Sequence, residues 1–406
     1  MDAATPLRLL YLTHRVPHPP DKGDRIRNFH VLQALSRIAR VTLVSLADET
    51  VSEASLAELH GLCESVEIVP SAGKRRWLRA GRHLLLGRSL SEGLFDEPRL
   101  DAVLERLART HRWDASLVSA SSLTPYQSRH GLADRPRFVD LVDVDSQKWF
   151  DYADAVSGPK HWLYTLEGHR VRKLEKEIAG WAKAVAIVSP AECEVFDGFT
   201  RAGAGTVATN GVDLDYFRPQ PDAGTEPALA FVGAFDYFPN IDGAVWFAEA
   251  IWPEIRARHP EAEFRIIGRK PTAAVRRLSS IAGVTVVGGV PDVRPHLARA
   301  ALAICPIRVA RGLQNKVLEA MAMAKPTVAS PAAIRALRAV PGEHLLAPAD
   351  ESELISAVCD LLDDPDRRRA LGDAGRRFVE EHHHWDRGLQ PLLDAILSAT
   401  RSRVSS

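Results

Sequence analysis

The sequence predicts an α/β protein built from two doubly wound, parallel-sheet domains. Short apolar runs alternate with helically spaced segments along nearly the whole chain. The alternation restarts after a cluster of turn residues near the middle. At 406 residues the chain also exceeds what one core usually serves.

The first run is Leu7 to Leu12 and the second is Val41 to Leu46. Between them Phe29, Leu32, Leu35 and Ile38 share one helical face, so the three form a βαβ unit whose strands are parallel. Further strands are expected at Val66–Val69, Ala115–Val118, Phe138–Leu141 and Val185–Ser189, the last after a long charged helix around Leu166 to Trp181. The second half repeats the pattern at Leu229–Val232, Glu263–Ile267, Val284–Val287, Leu302–Cys305 and Pro326–Ala329. Asn210-Gly211, Arg218-Pro219-Gln220-Pro221 and Gly224 mark the join. The domains are therefore placed at 1–205 and 206–384.

A hydrophobic content of 46% and a charged content of 26% describe a globular protein. Zero net charge leaves no global field for nucleic acid. Cys63, Cys193, Cys305 and Cys359 are scattered without metal-site spacing, which suggests reduced thiols and a cytosolic setting. No run approaches the roughly eighteen apolar residues of a membrane span, and no signal peptide is expected at the amino terminus.

Arg311-Gly312-Leu313-Gln314-Asn315-Lys316 follows an apolar strand and opens a helix that contains Glu319. Free N–H groups and the dipole at such a helix start attract phosphate. Lys316 adds a cation, and Glu319, one turn deeper, suits ribose hydroxyls. An ordinary strand–helix junction with a solvated Lys and Glu is the other reading.

Gly312 through Pro326 resembles the donor-binding signature of the family-4 retaining glycosyltransferases. Phe231-Val232-Gly233, Phe264 to Gly268, Gly289 to Val293, Asn210 to Asp213, and Thr13 through Asn28 extend the resemblance through nearly the whole chain. Tyr237 to Asp242 and Val142 to Trp149 are similar to sugar transferases associated with exosortase (PEP-CTERM) exopolysaccharide systems. The resemblance implies a GT-B fold, two Rossmann-like domains facing a central cleft. The first domain would take the acceptor and the second the nucleotide-sugar donor, with a last helix at 385–400 packing back on the first. It implies sugar transfer with retention to a glycan or lipid-linked glycan, no cofactor and no obligatory metal.

On that resemblance the donor-binding candidates are Gly23, Gly233, Gly268, Val290, Arg308, Arg311, Gly312, Leu313, Gln314, Asn315, Lys316 and Glu319. Asp143, Arg25 and Lys316 are the catalytic candidates, and no metal ligands are expected. Close packing at a turn serves Gly268 and the Gly288-Gly289 loop equally well. Asp145 or Ser146 is an expected helix cap. The chain departs from the family in three places. Asp140 or Asp143 stands where a histidine is common, Ala234 to Asn240 replaces an Arg/Lys pair, and Arg311 replaces the first of two glutamates.

Lys74 to Arg88 holds six Lys or Arg and no acid, interleaved with Trp77, Leu78 and Leu84 to Leu86. It reads as a segment lying on anionic lipid at the inner face of the bacterial inner membrane, or as a solvated basic loop. Two rival functions remain: an epimerase of nucleotide sugars on the same fold, and a non-catalytic partner subunit. The absence of Gly-x-Gly-x-x-Gly after the first strand of either half argues against a dehydrogenase.

Overall fold

The computed structural model describes residues 6–21, 23–71, 73–310 and 313–404. It contains two compact units. One runs to Thr209 and takes in the chain again from Leu389, and the other is Asn210–Gly388.

The first unit is a seven-stranded parallel sheet: β1 (Leu7–Thr13), β2 (Ala39–Ala47), β3 (Ser65–Pro70), β4 (Ala115–Ser119), β5 (Arg137–Val142), β6 (Ala184–Ile187) and β7 (Gly205–Val207). Its order is β3-β2-β1-β4-β5-β6-β7. Leu9 to Leu12 are fully buried, as are Leu117, Val118, Phe138 and Val139. Such unbroken apolar runs are what a sheet covered on both faces requires. The helices that matter here are α1 (Gly23–Ser36), α2 (Arg75–Leu85), α3 (Leu90–Phe95), α4 (Asp145–Asp154), α5 (Pro159–Trp181) and α6 (Pro190–Asp197).

The second unit has five parallel strands: β8 (Glu226–Val232), β9 (Glu263–Ile267), β10 (Val284–Gly288), β11 (Ala300–Cys305) and β12 (Thr327–Ala329), in the order β10-β9-β8-β11-β12. Phe231, Phe247, Trp252 and Phe264 fill its core, with the Phe247 and Phe264 rings 4.7 Å apart. Four helices concern the site and the chain crossings: α7 (Phe238–Trp246), α8 (Asn315–Ala322), α9 (Pro365–His382) and α10 (Trp385–Val404).

The units part at Thr209 and Asn210, a little beyond the break at 205/206 read from the sequence. The reason is β7: Gly205–Val207 pairs with β6 and so belongs to the first sheet, although its composition looks like linker. The second crossing lies inside α10. Its Leu389, Leu392 and Ile396 are buried, and the helix counts with the first unit from Leu389 on.

The residues that enter and leave the second unit lie side by side. Val212 N–H donates to His383 O at 2.9 Å, and the His383 ring lies 3.2 Å from Asn210 O. A Cβ on Gly211 would fall 2.3 Å from the Trp385 nitrogen, so only glycine fits there.

Candidate functional site

In the second unit the site is built around the start of α8. Gln314 caps it with extended backbone, its side chain making no cap hydrogen bond to the helix start, and Val317 N–H turns back to Gln314 O at 2.9 Å. Arg311 and Gly312 lie outside the described residues. Leu313 is part-buried against the core. The Asn315 side chain accepts from Asn210 Nδ2 at 3.2 Å, which fixes the helix start to the first residue of the unit.

Lys316 is positioned by two neutral amides. Its Nζ donates to Asn240 Oδ1 at 2.8 Å and to Gln314 Oε1 at 3.3 Å. Asn240 in turn donates to Ala234 O at 2.8 Å, bridging the loop after β8 to the helix start. Burial raises the Glu319 carboxyl to about 7 against the opposing charge of Lys316. At neutral pH it is therefore able both to donate and to accept hydrogen bonds. Ammonium, helix start and tunable carboxyl converge on the carboxyl ends of β8 and β11, where open α/β sheets bind ligands.

Other residues expected beside them have different work. A Cβ on Gly268 would fall 1.6 Å from Gly233 O, and one on Gly233 would fall 2.9 Å from Asn240 Nδ2. Gly268 is explained by the close approach of two strand ends, and Gly233 by the room its neighbour Asn240 takes up. Val290 packs on the small cluster around Leu297. Arg308 clasps Asp242 with Nε–Oδ2 at 2.9 Å and Nη2–Oδ1 at 2.5 Å, and its guanidinium lies 5.6 Å from the Trp246 ring centroid. That ion pair engages one edge of the guanidinium on a carboxylate, which offsets part of the charge Arg308 would offer a phosphate.

In the first unit, Gly23 opens α1 into empty space, and a Cβ there would meet nothing within 4 Å. Arg25, two residues on, is buried and surrounded by carboxylates. Glu49 accepts a short hydrogen bond from it, Asp21 lies at 3.4 Å and Asp48 at 4.0 Å. Three acids thus already surround the charge of Arg25, which was expected near the reacting centre. Beside it, burial alone would raise the Asp24 carboxyl, but His14 and Arg15 hold it well below the usual range.

The end of β5 carries the more unusual geometry. Asp140 is fully buried and is taken by Arg27, with Nε–Oδ2 and Nη2–Oδ1 both 2.8 Å, while Arg27 Nη1 also donates to Ala208 O at 2.9 Å. Of the two aspartates considered for the strand end, Asp140 is thus an interior ion-pair partner. Asp143 ends a three-residue turn, closed by its N–H donating to Leu141 O at 2.8 Å around Val142 at φ +67°. A β-branched residue in this region is strained, and such strain persists only where the surroundings enforce it. The Asp143 Oδ1 is buried without a partner. Burial, followed by the charge of Glu192, pushes its carboxyl up to about 6.

The cap of α4 also differs from the expectation. Val144 occupies the cap position, and no side chain within the segment caps the helix. Instead Glu192 of α6 accepts from Val144 N–H at 3.0 Å and Glu175 of α5 accepts from Ser146 N–H at 3.1 Å. Asp145 accepts from Ser121 at 2.9 Å. Two acids from distant helices do the capping, which no local pattern announces. Among the described residues no group of His, Cys, Asp or Glu is arranged to hold a metal ion.

These two sheets have known counterparts. Residues 226–364 match the family described as group 1 glycosyl transferases. Over 200 residues the chain is 29% identical to a GDP-mannose-dependent alpha-(1-6)-phosphatidylinositol monomannoside mannosyltransferase of Mycolicibacterium smegmatis. That alignment covers 43% of the chain and 51% of the relative, about half its length. Sucrose-phosphate synthase from Thermosynechococcus elongatus superposes with a TM-score of 0.72 at 17% identity, covering 98% of this chain and 100% of the other. Anabaena HepE, solved in complex with UDP and glucose, gives 0.68 at 14% identity, with 97% and 100% covered. The chain has the GT-B fold.

Proposed function

We propose that this protein is a glycosyltransferase that moves a sugar, with retention, from a nucleotide-sugar donor to a glycan or lipid-linked glycan. The observation that carries the reading is the start of α8. A helix start without a side-chain cap hydrogen bond stands beside a lysine held by two amide oxygens, with a titratable carboxyl one turn below. In the reaction the bond from the anomeric carbon to the diphosphate breaks and a bond to an acceptor oxygen forms. Charge develops on the departing diphosphate, so preorganised donors matter most there. Lys316 and the first N–H groups of α8 supply them, and Glu319 meets the ribose hydroxyls. Asp143, raised toward neutrality and unpartnered on one oxygen, is suited to hydrogen-bond a sugar or acceptor hydroxyl.

A lipid-linked acceptor fits the surface of α2. Ala80 of α2 packs so closely on Gly93 of α3 that a Cβ on Gly93 would fall 2.6 Å from the Ala80 Cα. This buries one side of α2 and leaves Trp77, Leu78, Leu85 and Leu86 between 60% and 89% exposed among arginines. Such a face suits shallow insertion into anionic lipid, and we place the protein at the inner face of a bacterial inner membrane. Among the described residues no helix is long and apolar enough to cross a membrane. The resemblance of Tyr237 to Asp242 and Val142 to Trp149 to exosortase-associated transferases supports exopolysaccharide synthesis as the proposed setting.

The test is calorimetric binding of UDP-, GDP-, ADP- and CMP-sugars to wild type, Lys316→Ala and Glu319→Ala. Selective binding of one donor that both variants weaken supports the reading. A folded wild type that binds none overturns it, and turnover of a donor without any acceptor would favour an epimerase.

A further inference from the structure

Tyr237 and Phe238 are large aromatic residues left 44% and 56% exposed at the carboxyl end of β8. The backbone beneath the pair is fixed. Tyr237 N–H donates to Ala234 O at 3.4 Å, and Tyr237 O accepts from Asn240 and Ile241 at 3.1 and 3.2 Å. Pro239 follows at once in the first turn of α7. One turn on, Asn240 holds the Lys316 ammonium. Two aromatic residues on rigid backbone thus stand beside the α8 site, and Asp236, the residue before them, carries a carboxylate paired with Lys270 Nζ at 3.6 Å.

We infer that Tyr237 and Phe238 form a stacking platform for a hexopyranose ring. The inference rests on the donor-site reading of α8 and deepens it. A pyranose carries C–H groups on its faces and hydroxyls around its edge. The electron-rich face of an aromatic ring attracts the former, and a neighbouring carboxylate accepts from the latter. The position favours sugar over nucleobase. β8 lies next to β11, about 4.8 Å away, so the platform is one strand from the phosphate-binding helix start. A donor's sugar is bonded directly to its terminal phosphate, whereas the base is set off by the whole ribose. The ring bound is either the donor's or the acceptor's, and the two are separable by experiment.

Wild type, Tyr237→Ala/Phe238→Ala and the ring-preserving exchange Tyr237→Phe/Phe238→Tyr are titrated calorimetrically with UDP, GDP, UDP-glucose, GDP-mannose, and methyl α-glucoside and α-mannoside. The alanine pair is expected to bind the diphosphate as wild type does and the matching nucleotide sugar about tenfold more weakly. The exchange should bind both like wild type. Loss confined to the methyl glycoside supports the platform and assigns it to the acceptor. Equal loss of diphosphate and nucleotide sugar overturns it in favour of base stacking, and no loss of any ligand overturns it outright. If wild type binds no nucleotide, the donor reading falls and the glycosides decide alone. A weaker variant upholds the platform, and unchanged or absent binding sinks it.

Discussion

Lys316 Nζ sits 2.8 Å from Asn240 Oδ1, joining the first turn of α8 to the loop that follows β8. The contact spans 76 residues of sequence and aims a cation using a neutral partner, which leaves its charge for a ligand. Lys316→Ala should therefore weaken donor binding by at least about tenfold, since hydrogen bonds to charged groups contribute about 1.5–3 kcal/mol. Asn240→Ala should cost less, because Gln314 still holds the ammonium. Titration of both variants with the preferred nucleotide sugar checks the order.

The acid below that lysine makes donor affinity depend on pH. Glu319 loses its proton around pH 7, and a new negative charge there repels a diphosphate. Affinity should fall as pH rises through 7 in wild type and stay flat in Glu319→Gln. Matching slopes in the two proteins would rule this out.

Glu175 supplies a stability signature of the opposite unit. It is fully buried, and burial raises its carboxyl from 4.5 to about 8. The folded state then binds the proton more tightly than the unfolded chain, so stability falls as pH rises from about 4.5 to 8. Glu175→Gln keeps the acceptor for Ser146 N–H, and urea melts should show a shallower decline over that window.

The two kinds of glycine are separable by one methyl group. Gly268→Ala drives a carbon into Gly233 O and should destabilise the fold by about 3 kcal/mol. Gly23→Ala enters open space and should stay within about 0.5 kcal/mol. Denaturant midpoints at constant slope measure both.

Arg27→Met leaves Asp140 charged and alone in the interior, a loss of about 3–5 kcal/mol. Adding Asp140→Leu should restore much of it. A double-mutant cycle reads the coupling directly.

The alternation of apolar runs made the sheets legible, because strands buried on both faces need continuous apolar sequence. β7 escaped because Gly205–Val207 is three residues long and lies among turn formers. The helix α8 was legible because its apolar strand, its turn and its helical spacing are contiguous. Arg25, Arg27 and Arg308 look alike in sequence, yet each is claimed by an acid 24 to 113 positions away. Asn240 could be noticed as part of Tyr237 to Asp242 but not assigned, since its partner Lys316 is supplied only by folding. Charge type is written locally, whereas its availability to a ligand is decided by tertiary neighbours.

The hydrogen bonds of His383 with Asn210 and Val212 put the start of the second unit beside its end. A segment with adjoining termini behaves as a cassette, since it can be lifted out or exchanged without stretching the chain on either side. Swapping Asn210–Gly388 for the equivalent piece of another protein of this fold is thus a route to hybrid proteins, with both splice points close together.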